Sequence, residues 1–523
     1  MLPILACLVS LSPVQEAPPA PSTPPAPIIA PRIVLDARFD DWANIQPVLV
    51  DPADAPDAFV DLGEVRVQAD DNFVHLLIDF GRTVNAQGLD GTADIVLNAD
   101  GDQSTGKEIA GVNGADLIVR CTPPFPEKPD APGRGISIVS TTYTPDPIDL
   151  TKPPVNMYDI GLSFAPTHAA RRMEFRIARG QSPSLTPATA LPALFAGTSF
   201  TGKVVFAALD GTIADQTDAF TFNLPPRSPA ATTQADDALQ VNDPFARVDG
   251  GSLRVVSWNG ELGAIISRPE AFIRTLDAIA PDVILFQELT DKITEEQVKA
   301  FVAHLRPDST DRPWHVLLGK GGGDLRTAVL SKLPLTAVKP LEIVTYADRP
   351  ERSIRVCGAL LEAGGRKLLA ASVHLKCCGR NGSPEDVTRL AEVAQIHAAV
   401  KTAIAELKPD GLVIAGDMNL VGSRTPLENF MAGLDLDSSN LEAVDAYQLD
   451  GRSNATWSDR KQPFVPGRLD YALYSDSSLQ VSQCLVYDSW DVAPKWRTVH
   501  GTQANDTDLA SDHLPVVFDL AWK

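Results

Sequence analysis

GLVIAGDMNL, at residues 411–420, is the stretch of this 523-residue chain that decides the fold of its second half. The apolar run before Gly416 predicts a fully buried strand that stops at the glycine. Asp417 and Asn419 are two residues apart, so an extended backbone points both side chains to one face while Met418 turns into packing. A single acid after a strand is often a turn former or a helix cap, so its interpretation depends on whether the pattern recurs.

Five more apolar stretches in the second half adjoin an acid, an amide or an imidazole in the same way. They are 253–258 before Asn259, 283–286 before Gln287 and Glu288, 368–373 before His374, 471–473 after Asp470, and 514–520 after Asp512 and His513. Polar groups at buried strand ends must be hydrogen-bonded or hydrated, because burying them unpaired costs free energy. Six such strand ends are therefore more than would be expected if these residues had no function. Gathered at one edge of a sheet, they form a carboxylate-rich site whose oxygen ligands suit Mg²⁺, Mn²⁺ or Ca²⁺ better than Zn²⁺.

The order of these motifs resembles that of the endonuclease/exonuclease/phosphatase superfamily over residues 251–523. The motifs are Ser257-Trp258-Asn259, Gln287-Glu288, His374-Leu375, Gly416-Asp417-Met418-Asn419, Arg468-Leu469-Asp470-Tyr471 and Ser511-Asp512-His513. The resemblance implies an α+β four-layer sandwich, in which two mixed β-sheets pack face to face with helices outside. It places the active site at one end of the sandwich.

The same resemblance implies a metal-dependent hydrolase that acts on phosphoester bonds with Mg²⁺ or Mn²⁺. Such chemistry requires a cation against the phosphate, an activated water and stabilisation of the non-bridging oxygens. Glu288 is expected to be the principal metal ligand, with Asn259 and Asp512 in support. Asp417 is expected to orient or deprotonate the attacking water, and Asn419 to hold the phosphate or Asp417.

Two imidazoles complete the site that the resemblance implies. His513 is expected to contact the phosphate while Asp470 accepts its other ring proton, a pairing that favours the charged imidazole. His374 is expected to donate to the phosphate or to the leaving oxygen. Pancreatic-type deoxyribonucleases give this imidazole a Glu partner from the strand that here spans 325–330, and that strand contains no carboxylate. Arg326 on the same strand is a candidate phosphate contact.

The charge of the chain bears on its substrate. The formal net charge is -22, and both halves are acidic: residues 1–250 hold 16 Lys and Arg against 31 Asp and Glu, and residues 251–523 hold 29 against 36. Tight binding of polynucleotides draws on Lys and Arg that neutralise phosphates, so this balance favours a small phosphodiester or a phospholipid headgroup over nucleic acid. Nucleic acid remains an open substrate. The alternative function is a glycan-binding protein with a degenerate phosphoesterase domain.

The N-terminus predicts export. Residues 1–17 begin with an apolar run typical of a signal peptide, although no basic residue precedes it, and residues 18–31 form a proline-rich linker. The expected location is therefore the medium, the periplasm or the cell envelope. Cys7 loosely fits a lipoprotein cleavage box and is a candidate lipid anchor, with Leu5 a poor fit at its position. No later stretch is long and apolar enough to predict a transmembrane segment.

Residues 32–224 predict an all-β sandwich, because short alternating runs are broken by Gly, Pro and Asp and helical periodicity is nearly absent. The segment 35–42 (LDARFDDW), with the runs 65–67 and 74–80, resembles family 9 carbohydrate-binding modules, which implies a glycan contact. Residues 225–250 predict an interdomain linker. The expected architecture is multidomain: this sandwich followed by the α+β four-layer sandwich of 251–523.

A loop in the first half has two interpretations. Its oxygen-bearing residues alternate before Gly106 in a pattern that suits a structural Ca²⁺ ion, or equally a solvated turn between strands. The candidate ligands are Asn98, Asp100, Asp102, Ser104 and Asp116.

The cysteines give weak constraints. If the protein is exported, a disulfide from Cys377 or Cys378 to Cys357 or Cys484 is expected, since 354–361 and 368–373 predict a hairpin.

Overall fold

Buried and partly exposed side chains alternate along the strands of the N-terminal half. In the strand Glu64–Ala69, Val65, Val67 and Ala69 are buried while the residues between them are partly exposed, so one face of the strand enters the core. The computed structural model describes residues 32–124, 133–140, 155–180, 193–227, 242–248, 253–305 and 313–523. The predicted leader and proline-rich linker, with Cys7, and most of the predicted interdomain linker lie outside the described residues.

The N-terminal half forms two antiparallel sheets. Their strands are β1 (Pro47–Val50), β2 (Glu64–Ala69), β3 (Phe73–Val84), β4 (Thr92–Asn98), β5 (Lys107–Ile109), β6 (Val112–Ala115), β7 (Leu117–Cys121), β8 (Ile136–Ser140), β9 (Ser163–Ala165), β10 (Ala170–Ala178), β11 (Ser199–Ala207), β12 (Ile213–Gln216) and β13 (Phe220–Asn223). One sheet has the order β1-β2-β3-β10-β9 and the other β12-β11-β4-β7-β8, with β13 also paired to β11 and β5-β6 a separate ribbon. Apolar side chains of both sheets, such as Phe80, Leu97 and Phe206, meet in one core. The predicted all-β sandwich is confirmed.

The C-terminal half contains two mixed sheets. Its strands are β14 (Leu253–Asn259), β15 (Val283–Thr290), β16 (His315–Leu318), β17 (Leu325–Ser331), β18 (Leu335–Ala337), β19 (Val356–Ala363), β20 (Arg366–His374), β21 (Gly411–Asp417), β22 (Glu442–Ala443), β23 (Asp470–Tyr474), β24 (Leu479–Val486) and β25 (Val516–Trp522). The first sheet has the order β16-β17-β15-β14-β25-β24 and the second the order β18-β19-β20-β21-β23-β22. Each sheet has one parallel pair, β14 with β15 and β20 with β21.

Helices cover the outer faces of the two sheets. They are α1 (Ala264–Ser267), α2 (Pro269–Ile279), α3 (Glu295–Val302), α4 (Pro384–Leu407), α5 (Thr425–Met431), α6 (Pro494–His500) and α7 (Asp506–Ala510). Helices α2 and α3 share a buried cluster with the first sheet, and α4 and α5 share one with the second. A further cluster lies between the sheets and includes Val255, Leu285, Ala370, Val413 and Ala415. The predicted four-layer α+β sandwich is confirmed.

The end of the predicted linker, 225–250, contacts the second half. Phe245 is buried in the cluster that joins the first sheet to its helices, with its ring centroid 5.5 Å from that of Tyr487 and 4.6 Å from that of His500. Residues 242–248 therefore pack as part of the C-terminal half. In the described part of the chain, no helix has the length and apolar character needed to cross a bilayer.

The loop predicted to bind calcium is held by its own hydrogen bonds. The Asp102 carboxylate accepts from the backbone N–H and the hydroxyl of Ser104, at 2.8 and 2.7 Å, and Asp100 accepts from the N–H of Asp102 at 2.8 Å. Burial raises the pKa of Asp116 to about 6, and Asn98 is buried with its Oδ1 lacking a partner among the described residues. The three carboxylates are not among the described acidic groups whose ligand atoms converge within 4.8 Å. The calcium ion stays a prediction.

The expected disulfide is absent from the described residues, where Cys357, Cys377, Cys378 and Cys484 are free thiols. Cys357 lies within β19 and is buried, with its Sγ 3.6 Å from the Leu317 carbonyl oxygen. Cys377 and Cys378 follow the end of β20, and their Sγ atoms lie 2.9 Å apart. The hairpin of β19 and β20 is confirmed, but its pairing does not bring a strand cysteine to the loop cysteines.

Candidate active site

The two parallel pairs bring polar strand ends to one edge of the second half. In the first pair Asn259 lies opposite Gln287, and in the second His374 lies opposite Asp417. The antiparallel neighbour of β21 begins at Asp470, which is paired with Asp417. His513 stands just before β25, the antiparallel neighbour of β14. Parallel and antiparallel partners thus deliver their side chains to the same end of both sheets.

Asp417 is the centre of this cluster. Its Oδ2 accepts hydrogen bonds from Asn259 Nδ2 at 3.1 Å and from Asn419 Nδ2 at 2.9 Å, and its Oδ1 accepts from the Asn419 backbone N–H at 2.9 Å. Burial, with the negative charges of Asp470 and Glu288, raises the pKa of Asp417 to about 8, against the opposing charge of His513. Asn419 holds a left-handed backbone with φ of 50°, a conformation that is costly for a non-glycine residue and common at functional sites.

His513 is the charged imidazole of the site. Its Nδ1 lies 2.8 Å from Asp470 Oδ2, and its Nε2 lies 3.8 Å from Asp417 Oδ2. Burial alone would lower the pKa of His513, but the Asp470 and Asp417 carboxylates outweigh it and raise the pKa to about 10. Thr456 Oγ1 donates to the same Asp470 oxygen at 2.7 Å. His513 therefore carries a proton on Nε2 that faces Asp417.

His374 is the neutral imidazole. Its Nε2 lies 3.6 Å from Glu288 Oε1 and 3.5 Å from Asp417 Oδ2. Its Nδ1 is buried without a hydrogen-bond partner among the described residues, as the lack of a carboxylate in β17 leads one to expect. Burial, then the positive charges of Arg355, His513 and Lys376, lowers the pKa of His374 well below its usual value.

Glu288 and Asn259 are residues of this cluster that could hold a metal ion. Glu288 has a left-handed backbone with φ of 56°, its Oε2 accepts from the Leu262 N–H at 3.0 Å, and Asn259 Oδ1 accepts from the Glu261 N–H at 3.0 Å. Glu288, His374 and Asp417 bring ligand atoms within 4.8 Å of one another. Carboxylate and amide oxygens in such a cluster fit a hard divalent cation.

The structure does not gather every predicted site residue equally. Asp512 Oδ2 accepts from the ring N–H of Trp457 at 3.0 Å, and Asp512 is not among the described groups whose ligand atoms converge within 4.8 Å. Arg326 is used elsewhere, because its Nη2 donates to backbone carbonyls of the turn after β15, including that of Ile293 at 3.0 Å. Nη2 of Arg326 is thereby engaged at that turn, and the phosphate contact expected from the sequence stays a prediction.

Sequence reasoning missed two residues that support the site. Thr456 orients the Asp470 carboxylate, and its hydroxyl also accepts the N–H groups of Leu469 and Asp470, each at 3.0 Å. Glu261 is half-buried beside Asp512, and burial followed by the Asp512 charge raises its pKa. Thr456 follows no apolar run, so no sequence signal marks it. Glu261 stands two residues after Asn259, and this spacing is the signal that could have found it.

One family model and several solved structures are similar to part of this chain. The model of the Endonuclease/Exonuclease/phosphatase family matches residues 242–513, just over half of the chain. The catalytic domain of human Nocturnin with a bound sulfate anion is 19% identical, with 52% of this chain and 95% of that one covered and a TM-score of 0.35. A 3' phosphatase from Neisseria, NExo, bound to a product DNA hairpin, is 15% identical over 52% and 100% of the chains, with a TM-score of 0.35. An endonuclease/exonuclease/phosphatase from Bacteroides vulgatus is 12% identical over 52% and 99%, with a TM-score of 0.36. No curated protein matches the sequence.

Proposed function

The chain belongs to the endonuclease/exonuclease/phosphatase family, and from that membership we propose that it is an exported, divalent-metal-dependent hydrolase of phosphoester bonds. The observation that carries the proposal is the set of buried contacts around Asp417. One carboxylate oxygen there accepts from Asn259 and Asn419 and faces both imidazoles at 3.5 and 3.8 Å. An acid between a charged and a neutral imidazole can take a proton from water while the imidazoles donate to phosphate oxygens.

Glu288 and Asn259, joined by Asp512, are the residues that would hold Mg²⁺ or Mn²⁺, and such an ion supplies charge neutralisation at the phosphate and a more acidic water. Asp417, in its ionised form, orients the attacking water and accepts its proton. Asn419 fixes the Asp417 carboxylate through the two hydrogen bonds already described.

The imidazoles act on the phosphate side of the site. His513, held protonated by Asp470, donates from Nε2 to a non-bridging oxygen and stabilises the charge that develops there. His374 is neutral and donates from the nitrogen that faces the site, to a phosphate oxygen or the leaving oxygen. Its buried Nδ1 lacks a partner among the described residues, so the tautomer with the proton on Nε2 leaves no donor unpaired.

Two cations whose charges act on His374 join Arg326 as candidate phosphate contacts. Arg355 and Lys376 both act on the pKa of His374, and the Arg355 guanidinium lies 3.8 Å from the buried Glu392 carboxylate. Two such cations are enough for one phosphate group, whereas a polynucleotide is usually bound by many. We therefore favour a small phosphodiester or a phospholipid headgroup over nucleic acid as the substrate.

Hydrolysis of bis-p-nitrophenyl phosphate and of plasmid DNA tests the proposal, with Mg²⁺, with Mn²⁺ and with chelator. The His513→Ala variant should lose about 10² to 10³ in kcat. His397→Ala is the matched control, because the His397 ring bonds the carbonyl of Ala432, the residue after α5, and it should keep wild-type activity.

The outcomes separate the candidate functions. Metal-dependent turnover that His513→Ala loses and His397→Ala keeps supports the phosphoesterase, and plasmid cleavage would then assign a nuclease. Turnover that persists in chelator contradicts the metal dependence. No turnover of either substrate, together with metal-independent binding of a polysaccharide, would favour the glycan-binding alternative.

A further inference from the structure

The N-terminal sandwich contacts the loops that carry the candidate catalytic residues. Asn85 Nδ2 donates to the Val421 carbonyl at 2.9 Å, two residues after Asn419, and Asn85 Oδ1 accepts from the N–H of Asn381 at 2.8 Å. Asn381 stands in the loop that follows His374. The sandwich thus packs against the site end of the second half.

A third loop, residues 456–467, connects the sandwich to Asp512. At its base Trp457 and Gly467 exchange two backbone hydrogen bonds of 3.0 Å, and the Ser458 N–H donates to the Asp512 carbonyl at 2.9 Å. The Trp457 indole N–H donates to Asp512 Oδ2 at 3.0 Å. The position of this loop therefore fixes the orientation of the Asp512 carboxylate.

The tip of the 456–467 loop is tied to the sandwich. The Tyr158 hydroxyl accepts from the Asp459 N–H at 2.9 Å and donates to the Phe464 carbonyl at 3.2 Å. Gln87 Oε1 accepts from the Val465 N–H at 3.0 Å. One phenol thus bridges the two sides of the loop.

An ion pair and a side-chain cap hold the turn that carries Tyr158. Tyr158 is half-buried, and burial raises the pKa of its hydroxyl. Arg460, the residue after Asp459, forms a 2.6 Å ion pair with Asp159 of the sandwich. The 3-10 turn Met157–Ile160 begins at Asn156, whose side chain accepts from the Tyr158 N–H, so the phenol stands on a defined turn.

We infer that Tyr158 is a positioning residue of the catalytic site, through which the N-terminal sandwich holds the 456–467 loop and, through Trp457, the Asp512 carboxylate. The inference rests on the proposed function, because it gives Asp512 a role at the metal ion. Outer partners that orient metal ligands commonly contribute about 10- to 100-fold in metal affinity. The N-terminal sandwich then supports catalysis, in addition to any binding role that it has.

Two tyrosine variants of the full chain test this inference. Tyr158→Phe removes the hydroxyl that bridges Asp459 and Phe464. Tyr447→Phe is the matched control, since the Tyr447 hydroxyl also joins the two halves, donating to Asp36 Oδ2 at 2.7 Å. Mg²⁺ binding is measured by calorimetry, hydrogen exchange is followed in residues 456–467 without metal, and kcat is measured at saturating Mg²⁺.

Tyr158→Phe should weaken Mg²⁺ binding about tenfold and speed exchange in the 456–467 loop, while kcat at saturating metal recovers most of its wild-type value. Tyr447→Phe should keep Mg²⁺ affinity within about twofold of wild type. If Tyr158→Phe does not fold, Gln87→Ala takes its place, because it removes the acceptor of the Val465 N–H. It should also weaken Mg²⁺ binding and speed hydrogen exchange in the 456–467 loop. Unchanged Mg²⁺ affinity in Tyr158→Phe, or equal losses in both tyrosine variants, overturns the inference and leaves the phosphoesterase standing. A wild-type chain that neither binds Mg²⁺ nor turns over phosphodiesters overturns both.

Discussion

Replacing Asp470 with asparagine isolates the charge that holds His513 protonated. Asp470 Oδ2 takes both hydrogen bonds of this pair, from His513 Nδ1 at 2.8 Å and Thr456 Oγ1 at 2.7 Å, whereas Oδ1 is buried without a partner among the described residues. An asparagine can keep its carbonyl oxygen in the Oδ2 position and put its amide where Oδ1 stands. Shape and acceptor are then preserved, and mainly the negative charge is lost.

The loss of that charge should appear in the pH profile of kcat. The raised pKa of His513, about 10, keeps the imidazolium through neutral pH, so activity should fall on the alkaline side only as pH rises through that value. The charged pair contributes its full stabilisation below the ordinary histidine pKa of about 6.5. That contribution is lost as pH rises from there through the raised pKa of His513, about 10. Asp470→Asn should move the alkaline limb down by about one to three pH units. Because a limb at about pH 7 to 9 leaves at least half of His513 protonated at pH 7, kcat should fall by about twofold or less at pH 7 and by about twofold to 100-fold at pH 9.

The assay is turnover of bis-p-nitrophenyl phosphate from pH 5 to about 11 at saturating Mg²⁺, so that the scan extends past the wild-type limb. Thr456→Val serves as the control, since it removes one hydrogen bond from the same carboxylate and keeps its charge. It should lower kcat less than about tenfold and leave the alkaline limb in place. An alkaline limb that stays at its wild-type pH in Asp470→Asn would refute the assignment of that limb to the His513–Asp470 pair.

Two further predictions concern the frame around the site. Asp519→Ala leaves the Arg254 guanidinium, 2.7 Å from its partner and buried, without a counter-charge, and should lower the free energy of unfolding in urea by about 3 to 5 kcal/mol. The kcat of Asp519→Ala at 25 °C should stay near that of wild type. A loss of less than about 1 kcal/mol in the free energy of unfolding would contradict the argument from burial of the ion pair. Gly416→Ala should be worse tolerated, because φ is 153° and an added Cβ would stand 1.9 Å from the Val373 carbonyl oxygen. We expect a loss of about 3 kcal/mol or more by thermal unfolding, with kcat reduced as well, and a variant of wild-type stability would disprove the close packing of β20 and β21.

The sequence predicts most of the fold because each buried strand has two sequence signals, an apolar run and a polar residue at its end. This double signal is present at β14, β15, β20, β21, β23 and β25. Short strands such as Pro47–Val50 and Glu442–Ala443 carry no comparable pattern. Their extended backbone depends on the neighbouring strand, which a local sequence window does not contain.

The site was predictable where strand register decides contacts and unpredictable where loops do. His374 and Asp417 had to meet once β20 and β21 were parallel in register. Thr456 contacts Asp470 from a loop that has no hydrophobic periodicity, and the residues next to it in sequence give no signal of this contact. The contacts of Arg326 with the turn after β15 were not predictable, because a strand position gives no information on which turn a long side chain contacts.

The site is divided between the two sheets of the second half, so the layer between them sets its dimensions. Asn259 ends β14 and His513 stands just before β25, both strands of the first sheet, while their partners Asp417 and Asp470 belong to the second. Sheets packed face to face are held apart by the side chains between them, and this layer includes small residues such as Ala415. The core therefore sets the distance between the two sheets. A change of one methyl group in this core, far from any substrate, changes the distances between the site residues and hence the rate of proton transfer.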